Sequence, residues 1–124
     1  MKKSEILRSR DLFKRVALKG KRVETVLFRC SFLAERGEQA GLQVGFKVPS
    51  KKLNAVRRNR IRRLMREGFS ARRSVLDSAL ERAKSQVHMM LIFKTDQQAS
   101  ADKLRLSMVL GDIGAICQTI ANRL

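Results

Sequence analysis

One stretch restricts what this chain can fold into more than any other: Lys51-Lys52-Leu53-Asn54-Ala55-Val56-Arg57-Arg58-Asn59-Arg60-Ile61-Arg62-Arg63-Leu64-Met65-Arg66-Glu67. Cations crowd it, and no acid appears until Glu67. Ile61, Leu64, Met65 and then Phe69 nevertheless recur at helical spacing, so one side of a helix has apolar surface to bury. The segment therefore reads as a helix that docks on a core with one face and offers charge on the other. Asn54 is a good N-cap residue, which starts the helix there, and Gly68 weakens its end near Phe69. Val56 falls off the apolar side, so the first turn is expected to pack separately. On a helical wheel Asn59, Arg62, Arg63 and Arg66 fall opposite Ile61 and Leu64, with Arg60 to one side.

Over the whole chain 28 Lys and Arg stand against 11 Asp and Glu, a net charge of +17. A field of that size repels itself and is tolerated where a polyanion neutralises it, which makes nucleic acid the leading partner class. The six cations from Arg57 to Arg66 are all Arg. Their planar forks suit phosphate oxygens bidentately, a more directed chemistry than diffuse lysine charge. A solvated charged face or a targeting signal is the bland alternative, disfavoured because unneutralised like charges this close weaken the helix that carries them. The chain has no Trp or Tyr and six Phe, so base stacking would fall to those rings or to guanidinium planes.

With 124 residues, 44% of them apolar, the chain suits one globular domain spanning 1–124. Ser9 caps a first helix with Leu12, Phe13 and Val16 at helical spacing, and Gly20 is expected to end it in the left-handed conformation. From Val23 to Leu33 the period changes to two, as in a half-buried strand with Phe28, Cys30 and Phe32 on one side and Leu27, Arg29 and Ser31 on the other. A polar turn at 35–39 precedes a second strand, Leu42 to Val48, stopped by Pro49-Ser50. Beyond the basic helix, Ser74 to Ser85 reads as a further helix with a capping-box spacing of Ser74 and Asp77, either separate or continuing across Gly68. Val87 to Lys94 is short and uniformly apolar, the pattern of a central strand. Ser100 is placed as the cap of a last helix with the stripe Leu106, Val109, Leu110, Ile113, Ile116, Cys117, Ile120 and Leu124. Its flanking charges nearly cancel, so that stripe is core rather than a membrane-surface face, which would carry a strongly basic side.

Catalytic groups are not apparent. A stand-alone nuclease needs clustered carboxylates holding divalent metal or histidines poised for acid–base work. Here the acids are scattered, and the one histidine, His88, lies within an apolar strand and reads as structural. Cys30 and Cys117 form no Cys-x-x-Cys and read as reduced buried thiols, with no disulfide or metal site. Charge rather than an apolar segment follows Met1, and no run approaches bilayer length, so a cytoplasmic protein without membrane contact is expected.

Asn54-Ala55-Val56, then Arg58-Asn59-Arg60-Ile61-Arg62-Arg63-Leu64 and Arg66-Glu67, resemble the signature of the bacterial ribonuclease P protein, the small basic subunit of the tRNA 5′-maturation ribozyme. Phe13-x-x-Val16, Gly20 and Val44-Gly45 extend the resemblance, which covers most of the chain to Phe69. It implies an α/β (α+β) sandwich: a four-stranded sheet with helices packed on it and a left-handed βαβ crossover through the basic helix. It also implies two RNA surfaces. Lys51, Lys52, Asn54, Arg58, Asn59, Arg60, Arg62, Arg63 and Arg66 would contact the catalytic RNA. Phe13, Arg29, Lys47, Arg62 and Arg66 would line a cleft for the single-stranded 5′ leader of precursor tRNA.

On this resemblance the holoenzyme is an endoribonuclease whose chemistry belongs to the RNA subunit. The protein then has no catalytic residue and binds no cofactor through a motif of its own, Mg²⁺ being implied through the RNA, and it joins that RNA as a monomer in a 1:1 complex. The chain departs from the family pattern at Ala17 and Ser31, where aromatics are usual, and at Leu53, where glycine is. Loss of two rings should shift leader binding towards phosphate contacts. The rival is a structural RNA- or DNA-binding protein, ribosomal-protein-like or histone-like; +17 suits it equally, but the spaced Asn54-Ala55-Val56 and Arg58-Asn59-Arg60 pattern has no place in it.

Overall fold

The strand predicted to be central is central. β4 (Ser85–Phe93) lies between two partners in a computed structural model that describes residues 5–7, 9–49, 53–94 and 103–124. β2 (Phe28–Arg36) pairs with it antiparallel and β3 (Gly41–Lys47) pairs with it parallel. β1 (Lys21–Glu24) adds to the far side of β2, giving the mixed order β1-β2-β4-β3. Because β4 is buried on both faces, its sequence is almost continuously apolar.

Among the described residues four helices cover the sheet, and their uneven distribution creates the site. α2 (Ala55–Arg72), α3 (Ser74–Ala83) and α4 (Leu106–Asn122) lie on one face, over Phe28, Cys30, Phe32, Val44, Met89 and Leu91. On the other face is α1 (Arg10–Lys19), ten residues long, with Val16 packed on Leu7 and Met90 and with Phe13, Leu33 and Ile92 partly buried around them. α2 and α3 form the crossover from β3 to the parallel β4. The result is a single small α+β domain in which a sheet is sandwiched between helices.

Several local expectations are corrected. The strand read as continuous from Val23 to Leu33 is a hairpin, broken between Glu24 and Phe28 where the sequence has neither Gly, Asn nor Pro. Side chains make that turn: the Phe28 N–H donates to Thr25 Oγ1 at 3.1 Å, and the Leu27 N–H donates to Asp112 Oδ2 of α4 at 2.9 Å. Gly20 is extended (φ −70°, ψ 152°), not left-handed. It is needed for space, since a Cβ there would lie 2.3 Å from the Val16 carbonyl and 3.0 Å from that of Phe32.

Gly68 does not end the basic helix, which continues to Arg72. It sits where α2 crosses α4, and a Cβ would approach Val109 Cγ1 to 2.8 Å and Ile113 Cδ1 to 3.1 Å. α3 is separate from α2, divided at Arg73, and Ser74 makes no side-chain cap. Asp77 instead accepts from Arg73, which outcompetes the expected capping box. Val56 does not pack separately but is 77% exposed. Ser100 lies outside the described residues, and α4 begins at Leu106 without a side-chain cap. In the stripe of α4 Val109, Ile113, Ile116, Cys117 and Ile120 are core as expected, Leu110 and Leu124 are only partly buried, and Leu106 at its start is exposed.

Candidate nucleic-acid interface

α2 begins as its sequence dictates: Asn54 Oδ1 accepts the Arg57 N–H at 2.9 Å, one of the donors a helix start leaves unsatisfied. Ile61, Met65 and Phe69 are buried in the core and Leu64 partly so, which turns Arg57, Asn59, Arg63 and Arg66 outward. Arg58, Arg62 and Arg66 follow one another at intervals of four, so they share one ridge of the helix. Arg62 donates to Asn59 Oδ1 at 3.3 Å. Arg58 is partly buried, and its Nε has no hydrogen-bond partner among the described residues.

Arg60 differs from its neighbours. Its Nη2 donates to the Leu104 carbonyl at 2.6 Å, tying α2 to the segment that leads into α4. Lys51 and Lys52 lie outside the described residues. Leu53, at the position where the family pattern has glycine, is buried in the main core, so its side chain contributes packing.

Beside α2 opens a cleft of about 800 Å³. The N-terminal strap Ile6–Leu7 and Phe13 of α1 form one side, Val44 to Phe46 the floor, and Arg66, Glu67, Ser70 and Ala71 of α2 the other side. Gly45 keeps that floor low, because a Cβ there would meet the Phe13 ring at 3.2 Å. Phe13 and Arg66, two of the predicted leader-cleft residues, thus face one space although 53 positions separate them in sequence. Arg62 is one turn before Arg66 on the same ridge and does not line the cleft.

Phe13 also borders a second hollow, of about 260 Å³, with Lys14, Ala17, Ser31, Lys47, Met90 and Ile92 around it. Both positions at which the chain lacks the family's aromatics therefore open into this one space. Ser31 is 5% exposed, on the sheet face beneath α1. Across the same face Arg29 and Lys47 flank Ile92 in register, one on each neighbouring strand. Arg29 is not a free cation: Glu24 Oε1 accepts from its Nε at 3.1 Å, and Glu24 Oε2 pairs with Lys94 Nζ at 3.2 Å. Those two bonds, Lys94 first, hold the Glu24 carboxyl below the usual carboxylate range.

Phe46 packs edge-on against Phe69, with ring centroids 5.9 Å apart. Because β3 is the edge strand, the same ring also reaches the cleft, so a second phenylalanine joins Phe13 there. Alternation tells which face a residue takes but not whether its strand is at the edge, so the period of two alone does not place Phe46 at the cleft.

His88 Nδ1 lies 3.0 Å from Gln43 Oε1 across the β3–β4 pair, a structural contact. Cys30 and Cys117 are free and buried. Burial raises both thiols, Cys117 to about 11, so neither is a thiolate nucleophile near neutral pH. Among the described residues no three His, Cys, Asp or Glu side chains come together in a way that could hold a metal ion. Nor is any helix there long and apolar enough to cross a membrane.

With this geometry in place the chain can be compared with known proteins. Residues 1–111 match the family model described as Ribonuclease P. The RNase P protein from Thermotoga maritima superposes with a TM-score of 0.74 at 21% identity, covering 93% of this chain and 96% of that one. An RNase P protein structure from Staphylococcus aureus gives 0.71 at 20% identity, with coverages of 95% and 96%. Curated protein sequences return no match.

Proposed function

Given that the chain belongs to the ribonuclease P protein family, we propose that α2 docks on the catalytic RNA while the cleft beside it receives the 5′ leader of precursor tRNA. The chain is the protein subunit of ribonuclease P, a ribonuclease that acts in tRNA processing, and its partners are the ribonuclease P RNA and the tRNA substrate. The observation that carries the two-surface reading is the position of Arg66. It belongs to the arginine ridge of α2 and also lines the cleft opposite Phe13, so enzyme RNA and leader would meet along one helix.

In this reading Asn54, Arg58, Asn59, Arg62 and Arg63 hold phosphates of the catalytic RNA, together with Lys51 and Lys52 on the approach to α2. Arg60, tied to Leu104, sets the helix against the segment that leads into α4 at the edge of that surface. Phe13 and Phe46 offer rings to leader bases, and Lys47 and Arg66 neutralise the phosphates between them. Arg29 is tempered by Glu24 and contributes least. One protein joins one RNA.

Hydrolysis in this reading belongs to the RNA and the Mg²⁺ it binds. The protein lowers repulsion between two polyanions and positions the leader, an electrostatic role that weakens as salt screens it. The deciding experiment is incubation of purified protein and Mg²⁺ with precursor tRNA, with and without the catalytic RNA. Leader removal is expected only when the RNA is present, and stimulated by the protein. Cleavage by protein alone would overturn the assignment of chemistry to RNA.

A further inference from the structure

Arg73, at the junction of α2 and α3, does not offer its charge outward as the arginines of α2 do. Its Nη1 donates to Glu5 Oε1 at 3.2 Å and its Nη2 to Glu5 Oε2. Its Nε donates to Asp77 Oδ2 at 2.9 Å, and Nη2 reaches Asp77 Oδ1 at 3.2 Å. The guanidinium carbon also stands 5.8 Å from the centre of the Phe69 ring. Two of the chain's eleven acids are thus spent on one arginine that is 19% exposed.

Both ends of this cluster lead to the cleft. From Glu5 the chain passes directly into the strap: Ile6 bridges Val44 in parallel, and the Leu7 N–H donates to the Val44 carbonyl at 3.1 Å. Leu7 is buried under α1, which anchors the downstream end of the strap. Its upstream end has the Glu5 ion pair. On the other side Phe69 backs Phe46, whose ring lies in the cleft floor. One backbone hydrogen bond stabilises less than the ordering of two or three residues costs, so the strap requires further attachment to stand as a wall.

We infer that Arg73 is a positioning residue for substrate: by holding Glu5 it fixes the Ile6–Leu7 strap opposite α2 and so sets the width of the leader cleft. The inference rests on the reading of that cleft as the leader site. Bidentate geometry is what suits arginine to this task, because it fixes orientation as well as distance.

Glu5→Gln is the discriminating variant. It removes the charge that holds the strap but leaves Arg73 on Asp77 and Phe69, so the α2–α3 junction is kept. Holoenzyme assembled with catalytic RNA is titrated with precursor tRNA and with the same tRNA lacking its leader. In the unaltered protein the leader should improve affinity. In Glu5→Gln that gain should shrink roughly threefold to tenfold, the size of one ordinary hydrogen bond's net contribution, since the amide can still accept from Arg73. Binding of leaderless tRNA, affinity for the catalytic RNA, the melting temperature and the cleavage rate at saturating substrate should stay unchanged, so that KM moves and kcat does not. Arg73→Lys should restore part of the gain relative to Arg73→Met. An undiminished leader gain in Glu5→Gln, or equal losses for both substrates, would overturn the clamp. If the unaltered protein shows no leader gain, the cleft assignment falls and the clamp with it.

Discussion

The two faces of the sheet differ in how completely they are covered. Three helices close one face over a core of aliphatic side chains and buried phenylalanines, and Gly68 lets α2 and α4 meet where even a methyl group would collide. The other face has one ten-residue helix with an open hollow bordered by lysine, and at the β3 edge, between the strap and α2, a cleft bordered by arginine stays open. The lesson is that the binding surface lies where packing stops short. α2 belongs to both regimes, with Ile61 and Met65 in the closed core and Arg66 on the open cleft.

That contrast can be broken most decisively with salt. If the open side and the arginine ridge bind through six to ten phosphates, affinity for the catalytic RNA should fall about 10³- to 10⁵-fold between 50 and 200 mM salt. In filter binding, Arg62→Ala with Arg66→Ala should lower the salt slope by about two while leaving stability within about 0.5 kcal/mol. A flat slope would move the binding to the apolar floor. On the closed side Ile61→Ala should cost about 2 to 5 kcal/mol in denaturant unfolding, with RNA affinity retained wherever the variant is folded. Gly68→Ala should cost about 1 to 3 kcal/mol by forcing α2 and α4 apart, measured in the same way. A neutral result there would mean that the closed face is less tightly packed than the 2.8 Å approach implies.

The smallest effect concerns the hollow. Ala17→Phe adds a ring where Phe13, Lys47 and Ser31 already converge, and should tighten binding of leader-bearing tRNA by up to about 1 to 3 kcal/mol, with leaderless tRNA unaffected. No change, or a loss, would show that the hollow does not receive a base.

Periodicity made the closed face legible. The stripe of α4, the uniform run of β4 and the capped start of α2 all report a burial that local spacing encodes. The hairpin was not legible because its turn is made by the Thr25 hydroxyl and by Asp112, 85 positions from the backbone N–H it receives. Gly20 and Gly68 could be singled out as glycines, but their reason is proximity to another element, which spacing along one chain cannot report. The cleft divides in the same way. The family-like motif pointed to Phe13 and Arg66, whereas Phe46 and the strap enter only because β3 lies at the edge of the sheet.

The ridge of Arg58, Arg62 and Arg66 has a thermodynamic consequence for the protein without its partner. Like charges one helical turn apart disfavour the helix that holds them together, so part of the folding free energy of α2 is withheld until a polyanion arrives. RNA is then a ligand of the native state and, by mass action, a stabiliser: at a hundredfold excess over Kd it adds about 2.7 kcal/mol. The ribonucleoprotein should outlast its protein subunit on heating, and an unassembled subunit would be the form most open to unfolding.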